Sequence, residues 1–526
     1  MYQIDPPREV ANIIDVLTGQ GYEAYAVGGC IRDSVMGRQP KDWDIATNAC
    51  PDVVKGLFER TLDTGLSHGT VTVMMDTGAY EVTTFRIDGR YEDGRHPEHV
   101  VFTRRLEDDL RRRDFTINSM AWNAECGIID LFDGIGDIAE RIVSAVGAPA
   151  ERFREDALRM LRAVRFAARL GFGIEKTTFE AIKDNRALIK KISAERIRDE
   201  LTGILTSDDP AKFALLAETG LLGEILEKFG YCIDGKQEGK QDGKQGGKQE
   251  GKQEGKQDGK QEGKQEGKQE GKQDGKQDGK QEGKQDGKQE GKQGCCRTGE
   301  YSSDSADISG GAGHCILQFP DDICLSAVGA VDADECLRWA MWLTCFAISS
   351  GALRHAGLSD TRFEETYENF LASAKDLLSK LKFSNKSMDR ILRLLKYVDM
   401  QIKPEHSNVA KAVSVAGEDI FSDLLKLKRA ALLTQDDLIS SDSNKHIDEV
   451  EKIYHDLLAS GRCLKLKDLA VNGQDLIRIG YSEGINIGKA LSYLLERVLL
   501  DPELNRKEML ERIAMDYLSE YGKVKN

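Results

Sequence analysis

Apolar residues recur at helical spacing from Val10 to Leu17, so the chain is expected to open with an amphipathic helix over Pro7–Leu17. The short apolar run EAYAV follows and reads as a strand that ends at Gly28-Gly29. CIRDSVMG predicts a short helix and DWDIAT a second strand. GTVTVMM and EVTTFRI flank the turn DTGAY and read as a β-hairpin. From about Glu151 the period changes to that of a helix and stays helical to Phe229. Segments such as LRWAMWLTCF, LLSKLKF and ALSYLLERVLL continue the helical pattern across 315–526. The expected class is therefore α+β, a small mixed-sheet head followed by helices.

One stretch has no pattern of apolar positions at all. Gly235 to Gly294 is fifteen copies of a four-residue unit, GKQE or GKQD with two GKQG variants. Its 15 Lys stand against 13 acidic residues. Without apolar side chains it has no burial to offset its ordering entropy, and a glycine every fourth residue opposes a helix at about 1 kcal/mol each. A disordered, solvated insert is expected, tolerated in a surface loop, with the polar stretch continuing to His314.

A length of 526 residues suggests three or four domains at about 150 residues each. The net charge of −15 argues against binding nucleic acid by bulk charge; any such site must be a local basic surface. No run of about 18 apolar residues exists, so no membrane span is expected. The start, MYQIDPPREV, lacks a basic stretch followed by an apolar one, so a secretory signal is not expected. Eleven cysteines without a CxxC pair suggest a reducing cytoplasm rather than a disulfide framework. Cys295-Cys296 reads as exposed loop thiols, with metal binding the alternative.

Candidate chemistry begins in YAVGGCIRDSVMGRQPKDWDIAT. Gly28 and Gly29 end a strand and feed a helix, whose free N–H groups suit phosphate, and Arg32 adds a planar charged fork. Asp42 and Asp44 share one face of an expected strand. Two carboxylates so close repel unless a cation sits between them, and few hard oxygen ligands suggest Mg²⁺ completed by substrate phosphates. Glu81 is a third carboxylate if its strand lies beside that of Asp44; otherwise it is an ordinary solvent-facing residue. Spacing alone leaves both open.

Three arginines precede Asp114, and residues 101–170 hold twelve Arg, twelve acids and no Lys. Arginine without lysine suits planar, bidentate recognition of phosphate or base edges. In FREDALRMLRAVRFAARLGF, residues Asp156, Arg159, Arg162 and Arg165 recur every three positions, opposite an apolar stripe of Leu158, Leu161, Val164 and Ala168. A carboxylate and a guanidinium one turn apart offer an acceptor and donors to a base edge; an intrahelical ion pair is the alternative.

Together and in this order, GGCIRDSVMGRQPKDWDIAT, HGTVTV, EVTTFR, RRDFTIN and EDALRMLRAVRFAARLGF resemble bacterial class II tRNA nucleotidyltransferases, the CCA-adding branch of the polymerase-β-like superfamily. The likeness is dense over the first 200 or so residues, and KLKDLAVNGQDLIRIG (465–480) resembles the family's tail. It implies a nucleotidyltransferase head at 1–145, a helical neck with a base-reading helix at 146–230, the insert at 231–314, a helical body at 315–400 and a tRNA-binding tail at 401–526. It implies a Mg²⁺-binding pair, Asp42 and Asp44, with Glu81 as third carboxylate. Gly28, Gly29 and Arg32 fall where nucleotide phosphate is held. Arg113 and Asp114 match the motif that contacts the incoming nucleotide. Asp156 and Arg159 match the base-reading template, with Arg162 and Arg165 as further nucleotide-site arginines. IDGRYEDGRHPEH (87–99) looks like the family's mobile loop and ISAERIRDEL (192–201) like the motif closing the neck.

The implied activity is template-independent addition or repair of the tRNA 3′-terminal CCA from CTP and ATP, releasing pyrophosphate, with tRNA as partner and no stable protein partner inferable. Rivals are a CC-adding or A-adding enzyme, a bacterial poly(A) polymerase, a metal-dependent nucleotide phosphohydrolase, and an RNA-binding protein that kept the fold. Full-length 87–99 opposes the CC-only form, LSHGTVTV the poly(A) polymerase, and intact Asp42, Asp44 and Glu81 the non-enzyme. His455-Asp456 lacks flanking ligands for a hydrolase metal site.

Overall fold

The computed structural model describes residues 2–88, 100–233, 316–317, 320, 322–353, 361–434 and 437–521. The GKQE/GKQD repeat, Cys295-Cys296 and the segment 89–99 read as a mobile loop lie outside the described residues. Residues 1–234 and 314–526 form one compact unit.

Helix α1 (Arg8–Gly19) buries Val10, Ile13, Ile14 and Leu17, the stripe its sequence spacing predicts. The elements β1 (Ala24–Val27), α2 (Gly29–Val35), β2 (Asp44–Thr47), α3 (Pro51–Leu57), β3 (Thr61–Gly65), β4 (Thr70–Met75) and β5 (Gly78–Thr84) follow. A separate ribbon pairs β6 (Arg86–Asp88) with β7 (Val100–Phe102). Next come α4 (Leu106–Arg111), β8 (Met120–Asn123), β9 (Gly127–Asp130), α5 (Gly134–Glu140) and β10 (Ile142–Val143). The seven-stranded sheet runs β3-β4-β5-β2-β1-β8-β9, parallel between β2 and β5 and antiparallel elsewhere. In central β1, Ala24 and Ala26 join the core with Val10, Ile13 and Ile31, while Tyr25 and Val27 join Phe85, Leu106 and Leu110 on the other face. A strand covered on both faces reads as an unbroken apolar run, which is why AYAV lacks alternation.

The neck comprises α6 (Pro149–Glu155), α7 (Leu158–Leu170), β11 (Gly173–Ile174), α8 (Lys176–Asn185), α9 (Ala194–Leu205), α10 (Ala214–Glu218) and α11 (Leu221–Lys228). It departs from the expected continuous helical pattern in two places. Asp156 is extended (φ −140°, ψ 105°), so the segment 149–170 is two helices and Asp156 sits in the break. Its carboxylate accepts from Leu158 N–H at 3.0 Å, supplying one of the partners a helix start lacks. Gly171 at φ +69° ends α7, and the chain then pairs β11 with β10 in parallel.

Past the neck, β12 (Cys232–Ile233) pairs in parallel with β13 (Ile316–Leu317). Then follow α12 (Asp322–Gly329), α13 (Glu335–Ser349), α14 (Thr361–Lys380), α15 (Asn385–Tyr397), α16 (His406–Ala416), α17 (Glu418–Leu432), α18 (Asp437–Ala459), α19 (Gly473–Arg478), α20 (Ile485–Leu500) and α21 (Lys507–Tyr521). Every residue of α13 from Cys336 to Ala347 is buried, as expected of a helix apolar nearly all round. Trp339 packs edge-on against Trp342 and Phe383, each with ring centroids 5.2 Å apart, and its indole N–H donates to Thr202 Oγ1 in α9 at 2.9 Å. Arg338 donates to the Leu205 carbonyl. One hydrophobic cluster thus runs from Phe115 to Ala514, across both sides of the repeat. Among the described residues no helix is long and apolar enough to cross a membrane.

Because β12–β13 and α13 join the flanks directly, removing Gly235–Gly294 is expected to leave the thermal midpoint within about 2 °C of the full chain; a larger drop means the repeat contributes to folding. Trp339→Ala should instead cost about 3–5 kcal/mol, read as a lower denaturant midpoint at unchanged m-value.

Candidate active site

The site forms where β1 ends. Gly28 adopts φ +84°, ψ −129°, and an added Cβ would lie 2.9 Å from Arg113 Nη1, so both the backbone turn and the approach of Arg113 require glycine. Its N–H donates to the Met120 carbonyl, tying the turn to β8. Arg113 is further held by the Asn118 carbonyl at 3.5 Å and Asp109 at 3.3 Å, while its buried Nε has no partner.

Asp44 opposes Val27 in the β1–β2 register, beside that turn. The parallel register Ile45↔Val82 sets Asp44 and Glu81 at the same level on neighbouring strands. The expected strand bearing both aspartates is shorter than DWDIAT suggested. Asp42 precedes β2, because β1 turns away at Gly28 and leaves it no pairing partner. Alternation nevertheless persists: Trp43 is buried, and Asp42 and Asp44 are exposed on either side of it. Desolvation in the recess raises the Asp44 carboxyl above its ordinary range; Arg113 pulls it back down, and Glu81 and Asp42 raise it again. Among the described residues no three acid, histidine or cysteine side chains converge in a metal-holding cluster.

Arg32, expected to offer a fork to phosphate, is held by protein groups. Its relative exposure is 4%. Its donors go to Asp33 at 2.7 and 2.9 Å and to Asn118 Oδ1 at 2.5 Å, and it lies 5.4 Å from the Phe166 ring centroid. Here it ties α2 to the turn before β8 and to α7. Gly29 packs against the same guanidinium, 3.6 Å from where its Cβ would stand.

The arginines of α7 are matched by acids distant in sequence. Arg162 donates Nε and Nη2 to one oxygen of Asp114, at 2.7 and 2.6 Å. Burial would raise the Asp114 carboxyl, but Arg162 and Arg159 outweigh it and hold it below the ordinary range. Arg159 binds Glu155 at 2.6 Å and the carbonyls of Arg152 and Arg112. Asp156 receives a fork from Arg196 at 2.7 and 3.3 Å, so the intrahelical Asp156–Arg159 pair does not form. Arg165 pairs with Glu200 at 2.5 Å. Arg162 and Arg165 also flank Phe166, 5.4 and 4.6 Å from its centroid.

Asn118, Phe166, Arg196 and Glu200 are parts of this network that the sequence reading did not single out. The i, i+4 spacing of Arg196 and Glu200 marks one helical face, but nothing local marks what that face meets.

Comparisons with known proteins come to the same region. The family description "Poly A polymerase head domain" matches residues 24–144, an RNA and SrmB binding site of polymerase A matches 171–231, and tRNA nucleotidyltransferase domain 2 matches 367–514. The chain is 52% identical over 209 residues to a CCA-adding enzyme of Lactiplantibacillus plantarum, covering 37% of this chain and 51% of that protein. It is 49% identical over 213 residues to one of Lactobacillus delbrueckii subsp. bulgaricus, covering 40% and 54%. The aligned chain thus spans about half the length of the curated relatives it matches. The Bacillus stearothermophilus CCA-adding enzyme in complex with CTP superposes with TM-score 0.66 and 27% identity, over 99% of both chains. The Thermotoga maritima CCA-adding enzyme complexed with tRNA shares the fold at TM-score 0.51 and 17% identity, over 98% and 97%.

Asp114→Asn should destabilise the protein by about 2–3 kcal/mol at neutral pH, by leaving Arg162 without its counter-charge. A carboxyl depressed in the folded state stabilises above its unfolded value and loses that contribution as pH falls through the lower folded one. The gap between wild type and variant should therefore narrow as pH drops below the ordinary carboxyl value of 3.8. Denaturant titrations giving the same gap at pH 7 and pH 3 would contradict this.

Proposed function

We propose that the chain is a class II tRNA nucleotidyltransferase and adds the 3′-terminal CCA to tRNA from CTP and ATP. The carrying observation is the level placement of Asp44 and Glu81 on adjacent strands, beside a glycine turn against which Arg113 is pressed. In the reaction, the tRNA 3′-hydroxyl oxygen forms a bond to the α-phosphorus of the nucleotide. The α–β phosphoanhydride bond breaks, and its electron pair leaves with pyrophosphate.

Asp42 and Asp44, exposed on either side of the buried Trp43, offer hard carboxylate oxygens that fit a divalent cation, which we take to be Mg²⁺. Bound there, it would stabilise the attacking and leaving oxygens. Two carboxylates suffice when substrate phosphates complete the shell. Glu81 supports the pair from β5. Gly28 and Gly29 let the nucleotide phosphates approach the start of α2, and Arg32 holds that helix in place. Arg113 and Asp114 contact the incoming nucleotide, Asp114 through a carboxylate kept ionised by Arg162.

Asp156 and Arg159 read the base edge, rejecting a base that would leave their buried polar groups unpaired. Each is held by other protein groups here, so reading exchanges Arg196 and Glu155 contacts for contacts to the base. Arg162 and Arg165 complete the nucleotide side. The tRNA is held by shape and phosphate contacts, since the added sequence is the same for every tRNA. A cytoplasmic setting agrees with seven described cysteines that are all free.

The test is incorporation onto tRNA transcripts ending at the discriminator base, after C and after CC, with CTP, ATP or both. Two C additions, then one A, then arrest are expected. A stop after CC, A addition to the CC-ended transcript alone, or long A tails would reassign the enzyme to the corresponding specialised form. Asp42→Ala and Asp44→Ala should each cut transfer by at least about 10³-fold while tRNA binding stays within about threefold. Retained turnover would refute the metal-site assignment.

A further inference from the structure

A cleft of about 460 Å³ opens between the loop joining α2 to β2, helix α7 and the C-terminal end of α9. Arg38 and Lys41 line it from the loop, Arg165 and Arg169 from α7, and Thr206 and Ser207 from the residues after α9. The arginines of the transfer site are each matched to an acid: Arg32 to Asp33, Arg159 to Glu155, Arg162 to Asp114 and Arg165 to Glu200. Arg38, Lys41 and Arg169 are different. All three are exposed, and among the described residues none has a carboxylate within ion-pair distance. Of the two acids in the cleft, Asp33 is taken by Arg32, which leaves Asp208 against three unpaired cations. On a chain of net charge −15, such a concentration of unmatched positive charge marks an anion site.

The layout says which anion. Arg169 lies seven residues beyond Arg162 on nearly the same face of α7, about 10 Å along the axis. A ligand that reaches from the nucleotide site to Arg169 has to be extended. Lys41, in the loop wall of the cleft, directly precedes Asp42 in the chain. Long exposed cations over an open cleft suit successive backbone phosphates rather than one enclosed triphosphate.

We propose that this cleft is an RNA-phosphate subsite, in which Arg38, Lys41 and Arg169 hold the backbone of the acceptor strand while its 3′ end lies at Asp42 and Asp44. The proposal rests on the transfer reading above. Its test is the double variant Arg38→Gln, Arg169→Gln in the full chain, beside Lys183→Gln, a half-buried lysine of α8 that does not line the cleft, as control. The KM for a tRNA transcript should rise about tenfold, with kcat and the KM for CTP within twofold. The slope of log affinity against log salt for transcript binding without nucleotide should fall by about 1–2, roughly 0.7–0.9 for each lost phosphate contact. Arg38→Lys, Arg169→Lys should restore most of both. A raised KM for CTP with unchanged tRNA parameters would overturn the proposal in favour of a triphosphate site. Unchanged parameters throughout would show the charges are merely solvated. Wild-type protein that binds the transcript with the expected slope yet incorporates nothing would sink the transfer reading and leave the cleft standing. Normal incorporation with an unchanged slope in the double variant would sink the cleft alone.

Discussion

Asp114 closes the head's arginine run and Arg162 stands one turn into α7, with two guanidinium nitrogens on one carboxylate oxygen at 2.6 and 2.7 Å. Asp114 is nearly buried, so its charge is tolerable only with that partner. The pair therefore sets where the head stands on the neck. Around it, Phe115 meets Phe166 edge-on at 5.7 Å, and Val146 N–H donates to the Asp114 carbonyl. Phe166 in turn gathers Arg32, Arg162 and Arg165 about its ring. Moving Asp114 would shift α2 and α7 against one another, and with them the glycine turn and the arginine wall.

The same pairing logic divides the basic residues by purpose. Guanidiniums tied to buried acids hold geometry, and their fields reach a ligand only through the groups they orient. Unmatched ones, such as Arg38 and Arg169, remain available to a partner that brings its own negative charge. Arginine suits the first role because its planar fork satisfies two acceptors at once with little further loss of freedom. Residues 101–170 contain no lysine, and the structure pairs most of their arginines with acids, of which Asp109, Asp114 and Glu200 lie at or near full burial.

Much of the architecture was legible along the chain. Helix α1, the β4–β5 hairpin and helix α20 follow from periodicity, because each turns a regular apolar face to a neighbour. The β1 run was legible for the opposite reason, since both its faces are covered. What misled was Asp156. Apolar spacing continues through it, yet its backbone is extended and its carboxylate accepts from Leu158 N–H at the start of α7, so the helix is broken there. The preference of Asp for helix starts was the available signal, overridden by the stronger periodicity.

Taken alone, the sequence determined the element types, the order of motifs, the two aspartates flanking a buried tryptophan, and the repeat's inability to build a core. Each depends on residues a few positions apart. Tertiary structure decided the partners. Asp156 went to Arg196, forty residues on, rather than to Arg159 three residues away, and Arg32 was buried against Asn118. Trp339 joined Thr202 across the whole repeat, so that body and neck share one core. A charge takes the counter-charge that packing brings nearest in space, and a local pattern holds no record of which one that is.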